Sequence, residues 1–411
     1  MPRAAASALT DPPSGRTGAG ARGARSVVIA GFSTRALVES ATAAGFTAAS
    51  VDAFADLDNR GTPAVAVRAE GPGPGRSDVL GIARAAAGIA GQSVAYVASF
   101  ENRPDAVRVL ARGRRLLGNP PGVLMRARSP SLVSALMREH GFIAPDIRLR
   151  AGRQIRRHSW LAKPFASGGG YGITRWRRGD TLGRSHFLQQ HIRGVPGSLV
   201  FVADGRHAVP FGFSRQLVGE AEFGAAGFAY CGSILVPADS TSFPKADVVF
   251  DTACNIADVL ARELRLVGVN GIDFIARDGT PFVTEVNPRY TASMELAERA
   301  FEFSVFDAHV RGCAGVAPRF DLAAVRRDSS VEVFGKAILF AKRTTVMGNT
   351  RSWLGDRWLR DVPHPGERIL SGSPVCTIFA QGASDAACHA ALVRRARKLY
   401  QKIGGSGRRS A

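Results

Sequence analysis

Asp273, Glu285 and Asn287 are two carboxylates and a carboxamide close together in VGVNGIDFIARDGTPFVTEVNPR. That segment reads as two short strands joined by a tight turn, with Ile272, Phe274 and Ile275 on the first strand and Phe282, Val283 and Val286 on the second. Arg277-Asp278-Gly279-Thr280 forms the turn between them. Residues two apart on a strand share a face, so Glu285 and Asn287 project together, and the hairpin returns Asp273 beside them. Three hard oxygen donors on one face suit Mg²⁺, which takes one or two carboxylates together with substrate phosphates. In isolation the same residues also read as the polar edge of an ordinary hairpin.

A second stretch upstream, WLAKPFASGGGYGI, brings an apolar strand end (Trp160 to Ala162) to Lys163 and then to a glycine-rich loop, Ser167-Gly168-Gly169-Gly170-Tyr171-Gly172. Glycines let backbone N–H groups approach phosphate oxygens without Cβ interference, and the lysine adds a compact charge. Only six of the 54 basic residues are lysines, so a lysine at this place marks a need for an ammonium. The motif is not a Walker loop, because G-x-x-x-x-G-K-[ST] occurs nowhere. Between the two stretches lies FLQQHIRGVPGSLVFVADG. Phe187-Leu188 end a strand, Gln189-Gln190-His191-Ile192 form a hinge able to offer backbone groups to an adenine with Ile192 against the ring, and Ser198 to Ala203 form the next strand.

Taken in order, these segments resemble the ATP-grasp superfamily over roughly residues 120 to 312. The resemblance implies that Lys163, Ser167, Gly168, Gly169 and Gly170 bind ATP phosphates and that Gln189, Gln190 and Ile192 form the adenine hinge, where many members carry Glu at the position of Gln189. It assigns Mg²⁺, replaceable by Mn²⁺, to Asp273, Glu285 and Asn287, and it makes Arg289 the catalytic arginine beside the acyl or carboxy phosphate. Two departures stand out. The first ATP-binding lysine of many members is missing from RARSPSLVSALMREHGFIAPD, where Arg126, Arg128 and Ser129 occur; Arg128 could supply the charge, although a planar guanidinium is not an ammonium. The Val-Glu-His run that helps biotin carboxylase activate bicarbonate is replaced by Tyr290-Thr291-Ala292-Ser293-Met294-Glu295.

The elements around the motifs fit one architecture. SVVIAGFSTRALVESATAAGFTAASVDAF reads as a strand (Val27 to Ala30), a helix from about Arg35 to Ala44, and a strand ending at Asp52. A later strand, Val94 to Ala98, is followed by Glu101 and Asn102, at the end where α/β sheets bind ligands; Gly31 to Arg35 and Glu101 are candidate substrate contacts there. The G-x-G-x-x-G at Gly18, Gly20 and Gly23 precedes the first strand, which removes it as a dinucleotide signal. Beyond residue 321, strands at Val331 to Phe340 and Pro374 to Ala380 and a basic helix from Ser384 to Lys402 form a β-rich tail. Its DVPHPGERILSGSPVC run resembles the predicted ATP-dependent carboligases related to biotin carboxylase. The expected fold class is α/β, with α+β character in the core. A disordered tail (1–24) precedes a Rossmann-like N-terminal domain (25–120), a two-lobed ATP-grasp core (121–320) and a small β-rich C-terminal domain (321–411).

Composition narrows the function classes. The 411 residues are 45% hydrophobic, enough for two or three cores, and contain no apolar run of membrane-spanning length. Five cysteines without a C-x-x-C pair indicate reduced thiols and a cytoplasmic setting, and argue against structural zinc. A net charge of +20 raises nucleic-acid binding. Yet the arginines are spread throughout, with small clusters at Arg153–Arg157 and Arg175–Arg178, and no nucleic-acid-binding motif accompanies them. The expectation is an ATP- and Mg²⁺-dependent ligase joining a small carboxylate to an amine or thiol through an acyl phosphate, with a role in cofactor biosynthesis implied by the resemblance. Carboxylation through carboxyphosphate is the alternative, and nucleic-acid binding ranks below both. Relatives of this kind are frequently homodimers.

Overall fold

The computed structural model describes residues 25–67, 78–151, 159–301, 304–328 and 330–406. The expected disordered tail at 1–24 with its glycine pattern, the Gly71–Gly75 loop and the Arg153–Arg157 cluster lie outside the described residues. The first unit is a parallel sheet of β1 (Ser26–Ala30), β2 (Thr47–Asp52), β3 (Ala64–Ala66), β4 (Ser93–Tyr96) and β5 (Arg115–Leu117), in the order β3-β2-β1-β4-β5. β1 and β4 are continuous apolar runs, as strands covered on both faces must be. The strand order reverses between β1 and β4, so the turns after them, at Gly31 and Ser99–Asn102, open at the crevice where such sheets place ligands.

The small lobe of the core is an antiparallel sheet of β6 (Ile147–Arg148), β7 (Trp160–Pro164), β8 (Thr174–Trp176) and β9 (His186–Gln190), in the order β6-β9-β7-β8. β9 runs two residues further than its sequence suggests, so Gln189 and Gln190 are strand residues and the hinge starts at His191. The large lobe begins with β10 (Val195–Asp204), β11 (Ala208–Val218), β12 (Tyr230–Leu235), β13 (Val267–Arg277) and β14 (Thr280–Asn287). Its amphipathic helix, Ala246–Leu264, lays Val249, Phe250, Ile256 and Leu260 onto one sheet face. Phe213 of that face packs on Phe243, Phe250 and Phe274 with ring centroids 5.3, 5.4 and 6.0 Å away.

The residues after 321 are β-rich, as expected, but their main strands do not form a sheet of their own. β15 (Val333–Phe340), β17 (Leu359–Arg360) and β19 (Pro374–Gly382) extend the core sheet, giving the order β14-β13-β10-β11-β12-β15-β19-β17. Only β16 (Thr345–Val346) and β18 (Arg368–Ile369) pair separately. The join is antiparallel pairing of Gly232 with Ala337, Ser233 with Lys336 and Ile234 with Gly335. The helix Asp385–Ser406 covers this extension, with Cys388, Leu392, Ala396 and Leu399 turned into its core.

Arg35, 1% exposed, ties the three parts together. Its guanidinium lies 2.6 Å from Asp361, 3.0 Å from Glu39 and 3.0 Å from Glu295. Lys336, inside β15, meets the same Glu295 at 2.7 Å and is itself 4% exposed. Burial opposes ionisation of Glu295, but Arg35, Lys336 and Arg299 hold its carboxyl well below the usual range. Removing one partner from a buried ion network strands the others, at a cost on the order of 3–5 kcal/mol. Arg35→Met is therefore expected to lower the denaturation midpoint strongly, whereas the exposed Arg277→Met leaves it unchanged. Equal midpoints for the two variants in urea unfolding would remove Arg35 as the tie.

Candidate active site

The β13–β14 hairpin forms as its sequence requires. Asp278 and Gly279 both take positive φ, 55° and 85°, which is the two-residue turn that matches strand twist. Asp273 pairs directly with Glu285, and Asn287 follows two residues on, so all three side chains share one face. Asn287 Nδ2 donates to Asp273 Oδ2 at 2.8 Å, and Gln216 Nε2 from β11 donates to Asp273 Oδ1 at 2.8 Å. Gln216 carries no motif; only the register of β11 against its neighbours brings it here.

One irregularity shapes the site. The ladder slips between Asp273 and Phe274, which pair with Glu285 and Val283, so Thr284 is an extra residue in β14. Its carbonyl turns out of the ladder and accepts hydrogen bonds from Lys163 Nζ and Gln189 Nε2, both at 3.2 Å. Lys163 Nζ also donates to Gln189 Oε1 at 3.1 Å. The small lobe is thus locked to the β13–β14 hairpin through a bulge that the sequence does not reveal. Burial pushes the Lys163 ammonium below its usual pKa, with the Arg128 charge acting the same way and Glu285 opposing it.

Arg128, at the end of the helix Pro121–Ala127, pairs with Glu285 and donates to the Val286 carbonyl at 3.2 Å and the Ser167 carbonyl at 3.1 Å. Arg128 thus lies among the site residues, where the missing first lysine left its role open. The glycine loop is pinned at its other end too, since Tyr230 N–H donates to the Gly169 carbonyl at 3.0 Å. Gly170 has φ +80°, and a Cβ there would lie 1.8 Å from the Phe228 carbonyl oxygen, so only glycine fits the fold of the flap.

Arg128, Lys163, Ser167, Gly170, Gln189 and Glu285 line one cleft between the lobes. Its walls include Val133, Met137, Ile147, Phe187 and Val286, an apolar slot wide of any sequence motif and suited to a flat ring. Gly168, Gly169, Gln190 and Ile192 are not among the cleft-lining residues. Ile192 is buried beside the strand, and the Gln190 side chain accepts from Asp146 N–H at 3.2 Å. Asp273 and Asn287 continue from Glu285 along the hairpin face, and Arg289 follows just past the end of β14. Arg289 donates to Asn287 Oδ1 at 3.2 Å and lies 2.8 Å from Glu101, an ion pair without hydrogen-bond alignment.

Among the described residues no group of three or more His, Cys, Asp and Glu is arranged to hold a metal. The candidate set is instead two carboxylates and an amide, and its electrostatics fit a divalent cation. Burial and then repulsion from Glu285 push the Asp273 carboxyl up to about 6. Glu285 stays below the usual range because Arg128 and Lys163 outweigh its burial. Two oxygen donors that repel each other on a partly dry face are relieved by a cation between them.

The sign of the pH dependence follows. A carboxyl whose folded pKa is raised weakens the fold as it ionises, so in the metal-free protein this cost grows between about pH 4 and about pH 6 and then stays constant. Mg²⁺ needs the ionised form, so its stabilising effect is expected to fade as pH drops through about 6. Thermal unfolding with and without Mg²⁺ should show a larger metal-induced rise at about pH 8 than at about pH 5. Asp273→Asn should abolish that rise without lowering the metal-free midpoint. An identical Mg²⁺ response at both pH values is the outcome that excludes this site.

Comparison with known proteins agrees with this geometry. A family model described as an ATP-grasp domain matches residues 131–293. An uncharacterized protein of Methanocaldococcus jannaschii is 25% identical over 118 residues, 28% of this chain, and the match spans only 27% of that relative's length. The biotin carboxylase domain of Hydrogenobacter thermophilus 2-oxoglutarate carboxylase, solved with MgADP, ADP and bicarbonate, superposes with a TM-score of 0.64 at 14% identity, covering 91% of this chain and 89% of that one. An L-amino acid ligase from Bacillus licheniformis does so with a TM-score of 0.63 at 13% identity, covering 91% and 97%. No helix among the described residues is long and apolar enough to cross a membrane. Residues 131–293 thus match an ATP-grasp domain, and the chain shares its fold with biotin-carboxylase-like structures.

Proposed function

We propose that this protein is an ATP- and Mg²⁺-dependent ligase that activates a small carboxylate as an acyl phosphate and transfers it to an amine or thiol. The observation that carries the reading is the convergence on one cleft of Lys163, the glycine flap and Glu285, with Asp273 and Asn287 on the same hairpin face and Arg289 bonded to Asn287 Oδ1. The apolar slot takes the adenine, and the flap covers the phosphates with Lys163 and Arg128 as their cationic contacts. Asp273, Glu285 and Asn287 hold the metal, which neutralises phosphoryl charge and aligns the transferred group. Lys163 lies among oxygen acceptors that phosphate oxygens can replace, so its charge is delivered without a search for position.

A substrate carboxylate oxygen attacks the γ-phosphorus, the bond to the bridging oxygen breaks, and ADP leaves with that electron pair. The amine then attacks the acyl carbon. Arg289 donates to the oxyanion that develops, and phosphate departs as the C–O bond breaks. The five cysteines are free, in keeping with a reducing, cytoplasmic setting. Carboxylation through carboxyphosphate is the second reading, favoured by the likeness to a biotin carboxylase domain along nearly its whole length. Against it stands Glu295, which occupies the run after Arg289 and is engaged by Arg35 and Lys336.

Screening amino acids and small carboxylates for ADP release separates the two. Release that depends on bicarbonate and needs no amine supports carboxylation; release that depends on a carboxylate and an amine supports ligation. Losing an oxyanion donor costs on the order of 3 kcal/mol, so Arg289→Ala should reduce turnover roughly a hundredfold or more. Ordinary turnover in both Arg289→Ala and Glu285→Ala would rule out the assigned roles.

A further inference from the structure

The turn after β4 reaches across from the N-terminal sheet into the site. Ser99 adopts φ +85°, a conformation that L-residues with a side chain rarely take, and the chain then makes a single tight turn through Phe100–Asn102. This strained step places two adjacent side chains on two different arginines. Glu101, 1% exposed, lies 2.8 Å from Arg289 Nη2, and neither of its carboxylate oxygens has a hydrogen-bond partner. Asn102 Oδ1 accepts from Arg128 Nε at 3.1 Å, and Asn102 Nδ2 donates to the Ser167 carbonyl at 3.3 Å. Each arginine in turn touches one oxygen donor on β14: Arg289 donates to Asn287 Oδ1 at 3.2 Å, and Arg128 pairs with Glu285.

Two parallel relays therefore run from neighbouring residues of one domain to residues 285 and 287 of another, which share a face because they are two apart on a strand. A carboxylate sealed from water and lacking aligned donors contributes little to folding on its own and is costly to keep. Its closest ionic contact is Arg289, and its charge also acts on Arg128.

Resting on the ligase reading, we infer that Glu101 and Asn102 are positioning residues of the nucleotide site. Acting through Arg289 and Arg128, they set the orientation of the Asn287 and Glu285 side chains, and Asn102 also holds the flap at Ser167. The N-terminal domain thus takes part in preparing the metal-nucleotide site as well as in covering it. Neither residue touches the reacting atoms.

The test is a pair of double-mutant cycles on the full chain, with binding of MgADP measured by calorimetry at several Mg²⁺ concentrations. Glu101→Gln is expected to raise the Mg²⁺ concentration for half-maximal ADP binding about fivefold, while affinity at saturating Mg²⁺ stays within about twofold. Asn102→Ala is expected to weaken MgADP about tenfold. The double variants Glu101→Gln/Arg289→Lys and Asn102→Ala/Arg128→Lys should then be no worse than their weaker single variants within about twofold, since each pair acts as a unit. A merely structural role lowers the melting midpoint without moving the Mg²⁺ requirement. Additive effects in both cycles, or variants that bind as the wild type does, overturn the inference and leave the ligase reading intact. If Glu101→Gln does not fold, the Asn102 cycle alone decides, with unchanged binding counting against the proposal. A wild-type protein that ignores MgADP removes both.

Discussion

Everything in this site turns on holding Asp273 and Glu285 opposite each other, close enough to repel, on a hairpin that also buries apolar side chains. Each surrounding feature answers that repulsion. Arg128 takes one oxygen of Glu285, Asn287 and Gln216 donate to Asp273, and Lys163 adds charge from the small lobe. Of the two, Asp273 is raised and Glu285 is held down, and a divalent cation between their oxygens would relieve the repulsion. The surrounding lobes hold those partners in place.

The lobes meet through backbone as much as through side chains. The bulge at Thr284 supplies a carbonyl to Lys163 and Gln189, and the flap is held by its own carbonyls, at Ser167 by Arg128 and at Gly169 by Tyr230 N–H. The anchors are backbone carbonyls, while the Tyr171 N–H within the flap is itself taken by the Gly168 carbonyl at 3.3 Å.

The hairpin, its turn and the shared face of Glu285 and Asn287 were legible because period-two alternation and an Asp-Gly turn are local signals. Lys163 and the flap were legible for the same reason, as was the parallel N-terminal sheet, whose β1, first helix and β2 fall within a residue or so of their expected bounds. What stayed hidden depends on register and on distant segments. Thr284 is invisible until the ladder slips, Gln216 until β11 is aligned, and Glu101 until Ser99 turns the chain toward Arg289. The end of β9 was misplaced because Gln189 and Gln190 look like loop residues, while pairing with β6 and β7 keeps them extended. The pairing of β15 with β12 was not legible because composition cannot say which edge a strand will join.

That shared sheet has a consequence for how the chain can be divided. Detaching β15, β19 and β17, the strands beyond β12 in the sheet, would leave Gly232–Ile234 as an open border beside apolar residues, a template for pairing with other chains. A fragment ending near residue 320 would therefore gather into aggregates even with every nucleotide-site residue in place. The stretch that looks most like an appendage is what keeps the rest of the molecule from sticking to itself.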